Sequence, residues 1–213
     1  MNAALDAILT TRLLGIVRMK RYEHPAEVAG ALAQGGFKAL EFTLSGGGAL
    51  QAISAARNAL SGDIHIGAGT VLTPGAVTEA AVAGAEFIVT PMVNLQVIAA
   101  CQRLNLPIAC GAFTPTEIMT ATEAGANIVK LFPARLGGPQ YVRDLLAPLP
   151  DLHLMPTGGV TAENAASYLA AGAVAVAIGG NLVSSVEIAN RQFSEIARRA
   201  SIYVQVVSSA TTS

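Results

Sequence analysis

The sequence predicts an α/β protein, a (β/α)8 TIM barrel folded as a single domain over residues 1–213, and three observations lead there. First, four segments repeat one pattern: an Ala-rich helical stretch, a glycine, then a short apolar run. They are Gly36 to Phe42, Gly84 to Thr90, Gly125 to Leu131 and Gly172 to Ile178. Second, they recur every 41 to 48 residues, too far for one strand–helix unit and right for two. Third, a further apolar segment precedes each one: Leu13 to Arg18, His65 to Thr70, Pro107 to Phe113 and His153 to Gly159. Eight strands about 23 residues apart make a lean version of a fold that typically takes ~250 residues. Composition agrees, because 52% hydrophobic content with 13% charge suits a parallel sheet buried on both faces.

Taken in order, a short N-terminal helix precedes the first strand, and helical stretches alternate with the strands thereafter. They run over Pro25 to Gln34, Gly48 to Leu60, Thr73 to Ala83, Asn94 to Leu104, Thr114 to Ala124, Pro139 to Leu146 and Thr161 to Ala171. Thr73-Pro74 and Thr114-Pro115 read as a capping hydroxyl followed by proline in the first turn. Gly36, Gly84, Gly125 and Gly172 read as the left-handed residues that end four of the helices. A last helix is expected over Val186 to Arg199. The tail after it either extends that helix or packs on a neighbour, with its SSATTS end frayed. An open doubly wound sheet is the competing architecture, but it needs a reversal of strand order that the even spacing does not suggest.

Thirteen basic against fourteen acidic residues give a net charge of −1, so no field favours nucleic acid or an acidic membrane. No apolar run reaches the ~18 residues of a membrane span, and the first residues lack a secretory pattern. The expectation is a cytoplasmic protein with two reduced, buried cysteines, Cys101 and Cys110. His24, His65 and His153 lie far apart with no carboxylate at ligand spacing, so no metal site is expected. The Met and Phe residues read as core filling.

The repeat itself predicts where charge enters the barrel. Five residues after the four helix-ending glycines stand Glu41, Val89, Lys130 and Ala177. Alternate strands of a barrel contribute one interior layer, so Glu41 and Lys130 face each other across it. Lys130 is one of three lysines and the one that lies inside an apolar run. Burial lowers an amine's pKa and frees it to attack a carbonyl, whereas a carboxyl in the same surroundings is poised to move a proton. A purely structural ion pair between the two is the alternative.

Two glycine-rich turns follow the last two strands, Thr157-Gly158-Gly159 and Gly179-Gly180-Asn181. Barrels frequently hold phosphate there, on bare backbone N–H groups. Arg18, Thr70 and Pro91 sit at strand ends on the same rim, where they are read as binding a carboxylate and fixing a carbonyl. Arg18 could equally form a rim salt bridge, and Thr70 a helix cap. Phe132, two residues beyond Lys130, walls the same pocket.

These residues together resemble the KDPG/KHG aldolase family, class I enzymes acting on 2-keto-3-deoxy-6-phosphogluconate and 4-hydroxy-2-ketoglutarate. The likeness runs from Leu13 to Val183 and rests on LEFTL around Glu41, GAGTVLTP around Thr70, Thr90-Pro91, VKLFPA around Lys130, PTGGV from Pro156 and IGG from Ile178. It implies Lys130 as the Schiff-base residue and Glu41 as the proton shuttle. It also implies pyruvate and glyceraldehyde 3-phosphate as products, no cofactor and a homotrimer. Some relatives carry an arginine directly after the Glu-x-Thr-Leu segment; here Ser45 stands there, and Arg18 takes the role that others give to an arginine ending the first strand. A galactonate-series or hydroxyglutarate aldolase, a phosphosugar isomerase or epimerase, and a catalytically silent barrel are the remaining readings.

Overall fold

The computed structural model describes residues 2–60 and 62–211. Eight parallel strands form one sheet: β1 (Leu13–Val17), β2 (Ala39–Thr43), β3 (His65–Gly69), β4 (Ile88–Val89), β5 (Ile108–Ala112), β6 (Ile128–Leu131), β7 (Leu154–Pro156) and β8 (Val176–Ile178). Their spatial order is β7-β6-β5-β4-β3-β2-β1-β8, without reversal, which rules out the doubly wound alternative. The β7–β8 seam is closed by a single Thr157–Ala177 bridge and a Val174 N–H bond of 3.0 Å to the Leu154 carbonyl. Pairing is thinnest at this seam, from which the two glycine turns emerge.

The helices wrap the sheet: α1 (Ala3–Thr11), α2 (Pro25–Gln34), α3 (Ala49–Ala59), α4 (Pro74–Val82), α5 (Leu95–Arg103), α6 (Pro115–Glu123), α7 (Gly138–Leu146), α8 (Ala162–Ala170), α9 (Ser185–Ala189) and α10 (Phe193–Thr211). The four repeat glycines have φ of 94° to 104°. Each closes its helix by two backbone bonds, as where Gly36 N–H meets the Ala33 carbonyl and Phe37 N–H meets that of Leu32. Thr73 caps α4, and Thr114 forms a reciprocal capping box with Glu117 on α6.

Three expectations about local structure are corrected. The predicted final helix is two helices, because Arg191 takes φ 54° and the chain closes α9 through bonds from Arg191 to Ile188 and from Gln192 to Glu187. The SSATTS end is helical through Thr211, with residues 212–213 outside the described set. Two histidines do have carboxylate neighbours: His24 with Glu27 at 3.3 Å, and His65 with Glu86 at 3.1 Å.

The interior is filled from both ends. Leu14, Ile16, Ala39, Phe87, Val89, Ala109, Ile128, Met155 and Ala177 pack inside the barrel, and Ala4 and Ile8 of α1 join them. Helix α1 therefore plugs one end. It is pinned there by Arg12, whose guanidinium donates to the carbonyls of Ala173 and Val174 at 2.7 and 3.3 Å. The outer faces of the strands pack on the helices in a second, larger apolar layer. Among the described residues no helix is long and apolar enough to cross a membrane, and no three His, Cys, Asp or Glu side chains gather as a metal group.

Candidate active site

Glu41, Val89, Lys130 and Ala177 are all buried, at 0, 0, 2 and 1% exposure. Val89 and Ala177 belong to the interior cluster, and Lys130 pairs in register with Met155 of the same cluster. The repeat thus lands its fifth position inside the barrel on all four even strands, with one carboxyl and one amine among the four side chains.

Neither oxygen of Glu41 has a hydrogen-bond partner among the described residues, and no ion pair joins it to Lys130. A static structural pair is therefore not what is observed. Burial pushes the Glu41 pKa up, against the opposing pull of the Lys130 and Arg18 cations. Burial likewise pushes the Lys130 pKa down, and Arg18 adds to that while Glu41 opposes it. Both groups are held toward their neutral forms.

Glycines make the room. A Cβ on Gly69 would lie 2.6 Å from the Glu41 carboxyl carbon, so bare backbone at the end of β3 is what admits the carboxyl. Gly111 pairs with Lys130, and a Cβ there would lie 2.2 Å from the Pro91 carbonyl carbon. That glycine lets the Pro91 backbone cross β5 beside the lysine. Thr90 is engaged in holding this crossing: its hydroxyl donates to the Met92 carbonyl at 2.8 Å and accepts from the Gly111 N–H at 3.0 Å. Because that hydroxyl replaces a backbone acceptor, the β4 ladder stops at Val89, one residue before the run that the sequence suggested.

Above Lys130 lies the ring of Phe132, its centroid 5.4 Å from Nζ. Phe132 also walls a cavity of about 540 Å³ at the β7–β8 seam. Of the residues singled out from sequence, the cavity gathers Arg18, Phe132, Thr157, Gly158, Gly159, Gly179, Gly180 and Asn181. Ile16 and Ala177, both in the interior cluster, form its floor. Glu41, Thr70, Pro91 and Lys130 do not line its wall; Glu41 and Lys130 are buried. Thr70 takes φ 57°, a conformation costly for a β-branched residue, so it is a strained rim residue rather than a helix cap. The cap of α4 is Thr73. Arg135 also lines the cavity, and the sequence reading passed over it.

A buried amine and a buried carboxyl inside a parallel barrel, each pushed by burial toward its neutral form, beside a cavity lined by two arginines, are the equipment of an imine-forming carbon–carbon lyase. Comparison with known proteins agrees. The family model for KDPG and KHG aldolase matches residues 5–199. The chain is 35% identical over 208 residues to the 2-dehydro-3-deoxy-phosphogluconate aldolase of Treponema pallidum, covering 97% of this chain and 99% of that protein. It is also 35% identical over 196 residues to the 2-dehydro-3-deoxy-6-phosphogalactonate aldolase of Escherichia coli K12, covering 92 and 96%. The KDPG aldolase structure from Legionella pneumophila, with pyruvate captured as a covalent carbinolamine intermediate, superposes with a TM-score of 0.85. That chain is 30% identical, with 94% of this chain and 97% of that one covered. The chain belongs to the KDPG and KHG aldolase family and is a class I aldolase.

Proposed function

We propose that this aldolase cleaves 2-keto-3-deoxy-6-phosphogluconate to pyruvate and glyceraldehyde 3-phosphate, with Lys130 as nucleophile and Glu41 as proton shuttle. The observation that carries the reading is the buried Lys130 amine, its pKa lowered, beside the arginine-lined cavity and together with an unengaged buried carboxyl. The neutral amine adds to the C2 carbonyl, and the Glu41 carboxyl, which burial pushes toward its protonated form, gives up its proton as water is lost, which leaves a protonated imine and an ionised carboxylate. Glu41, through a water, takes the C4 hydroxyl proton. The C3–C4 bond breaks, its electron pair flows into the iminium, and the phosphorylated aldehyde departs. The resulting enamine is protonated at C3, and hydrolysis releases pyruvate and the free lysine.

In this reading Arg18, whose cation acts on both Glu41 and Lys130, holds the substrate carboxylate beside C2. Thr70 and the Pro91 backbone border the same rim. The turns Thr157-Gly158-Gly159 and Gly179-Gly180-Asn181 line the cavity, and the phosphate is assigned to their glycine N–H groups, the Thr157 N–H being spent on the Leu131 carbonyl at 3.0 Å. Such an activity belongs to Entner–Doudoroff carbohydrate breakdown in the cytoplasm.

A homotrimer is part of the proposal. Its support is an apolar patch of Leu72, Met92 and Leu95, each about half exposed. Their loops are joined by an Asn94 side-chain bond to the Leu72 carbonyl at 3.1 Å. Met92 is thus not the core filler that its type suggested.

A second reading, cleavage of the phosphogalactonate or hydroxyglutarate analogue, is favoured by Ser45 at the position where some relatives carry arginine. The Ser45 hydroxyl is engaged with that of Thr43 at 3.1 Å and adds no charge to the rim. Comparative kcat/KM on the three keto acids decides between them. A preference for the phosphogluconate supports the proposal, and a preference for either competitor overturns it.

A further inference from the structure

The cavity carries a second arginine that none of the chemistry above uses. Arg135 lies in a single 3₁₀ turn, Ala134–Leu136, five residues beyond Lys130. Its backbone is latched to the first glycine turn: Ala134 N–H donates to the Thr157 carbonyl at 2.8 Å, and Arg135 N–H to that of Gly158 at 3.0 Å. A Cβ on Gly159 would sit 2.5 Å from the Arg135 Cβ, so the glycine is what allows the arginine to lie against the turn. Gly158 and Gly159 both have positive φ, 86° and 91°, a conformation that holds the turn in the shape that meets the arginine.

Arg135 is exposed and lines the cavity, and its guanidinium has no hydrogen-bond or ion-pair partner among the described residues. Several other arginines do have one. Arg12 serves two carbonyls, Arg57 serves Glu86, and Arg199 serves Glu187. Arg18 lines the same cavity but acts on Lys130 and Glu41, so it belongs to the end where the imine forms. The two arginines thus belong to different parts of the lining, Arg18 beside the buried Glu41 and Lys130 and Arg135 beside the Gly158–Gly159 turn.

A 2-keto acid phosphorylated at its far carbon has two anionic ends separated by an uncharged chain. We propose that Arg135 is a specificity-determining residue, clamping the terminal phosphate from above the Gly158–Gly159 turn and setting the preference for phosphorylated over unphosphorylated substrates. The backbone N–H groups of the turns supply neutral donors; Arg135 supplies the charged, forked donor that suits a phosphate dianion. This assignment rests on the imine-forming aldolase reading given above.

The test compares wild type with Arg135→Leu and Arg135→Lys. Two readouts are taken: the ratio of kcat/KM for 2-keto-3-deoxy-6-phosphogluconate over 4-hydroxy-2-ketoglutarate, and direct binding of inorganic phosphate by calorimetry. Loss of a charge-assisted contact lowers the ratio in Arg135→Leu on the order of tenfold to hundredfold. It weakens phosphate binding in parallel, and Arg135→Lys recovers part of both. An unchanged ratio, whether both activities hold or both fall together, overturns the proposal, as does phosphate binding that is absent from wild type or indifferent to the substitution. Borohydride trapping of pyruvate on Lys130 in the same samples reports separately on the aldolase reading: a wild-type enzyme that forms no adduct while losing phosphate on Arg135→Leu refutes the chemistry and leaves the clamp.

Discussion

Gly69→Ala perturbs the proton shuttle without touching a catalytic side chain. Gly69 ends β3, pairs with Thr43 and is not among the glycines with positive φ, so the backbone accepts alanine without strain. The new methyl would lie 2.6 Å from Cδ and Oε1 of Glu41 and 2.8 Å from Oε2. To restore ordinary contact near 3.4 Å, the carboxyl has to move by about 0.8 Å. Overpacking of this kind costs about 1–3 kcal/mol of stability. A displacement close to 1 Å of a catalytic group costs about a hundredfold in rate. The assay is steady-state aldol cleavage beside borohydride trapping with pyruvate. The expected result is kcat down about a hundredfold, with the pyruvyl adduct on Lys130 still formed. Gly30→Ala is the control, since a Cβ there meets nothing within 4 Å and alanine favours the helix. Wild-type turnover in Gly69→Ala would refute the reasoning, because it would mean that the position of the Glu41 carboxyl is immaterial.

Three further outcomes follow from the same geometry. Lys130→Met should abolish cleavage, since no amine remains to add to the carbonyl, yet leave the protein folded, because an amine already pushed toward its neutral form is replaced by an apolar side chain of similar size. The sign of the pH dependence is definite: between the lowered Lys130 value and the ordinary lysine value of 10.5 the unfolded chain binds more protons, so wild-type stability rises with pH there and that of Lys130→Met lacks the rise. Pyruvate adduct formation should rise with pH as the amine deprotonates, and Arg18→Leu should move that rise to higher pH, since the Arg18 cation helps to lower the Lys130 pKa; a move to lower pH contradicts the electrostatics. At the opposite end of the barrel, Glu86 accepts from Arg57 at 3.0 Å, His65 at 3.1 Å and the Ile66 N–H at 3.2 Å. Glu86→Ala should cost about 1–3 kcal/mol in thermal or denaturant unfolding while leaving kcat/KM unchanged.

How much of this was legible in the sequence depends on whether a feature is written as a period or as a shape. The barrel, its strand count and the interior placement of Glu41 and Lys130 all follow from one repeat, because glycine at a left-handed helix end and an apolar strand after it are local requirements. Where another residue does the work of glycine the signal disappears. Arg191 at φ 54° breaks the last helical stretch in two, and Asn105 at φ 53° ends α5, both without the expected glycine. The tail illustrates the converse: Ser and Thr have weak helix propensity, yet α10 runs on to Thr211.

The site shows the same division. The strand ends placed Arg18, Phe132 and both glycine turns on one cavity, since ordinal position in a barrel dictates the rim. Arg135 was not legible. It owes its place to a 3₁₀ turn latched onto Gly158, a contact between loops that no periodicity encodes. Thr70 and Thr90 were legible as rim residues but not in their duties. One is strained in the left-handed region, and the other spends its hydroxyl on the Gly111 N–H and the Met92 carbonyl.

The central claim is that Lys130 is the imine-forming residue, and borohydride reduction in the presence of pyruvate, followed by intact-mass and peptide mapping, tests it most directly. The account predicts a single reduced pyruvyl adduct on the peptide carrying Lys130, absent from Lys130→Met. An adduct on Lys20 or Lys38 instead, or none on the folded protein, would contradict it.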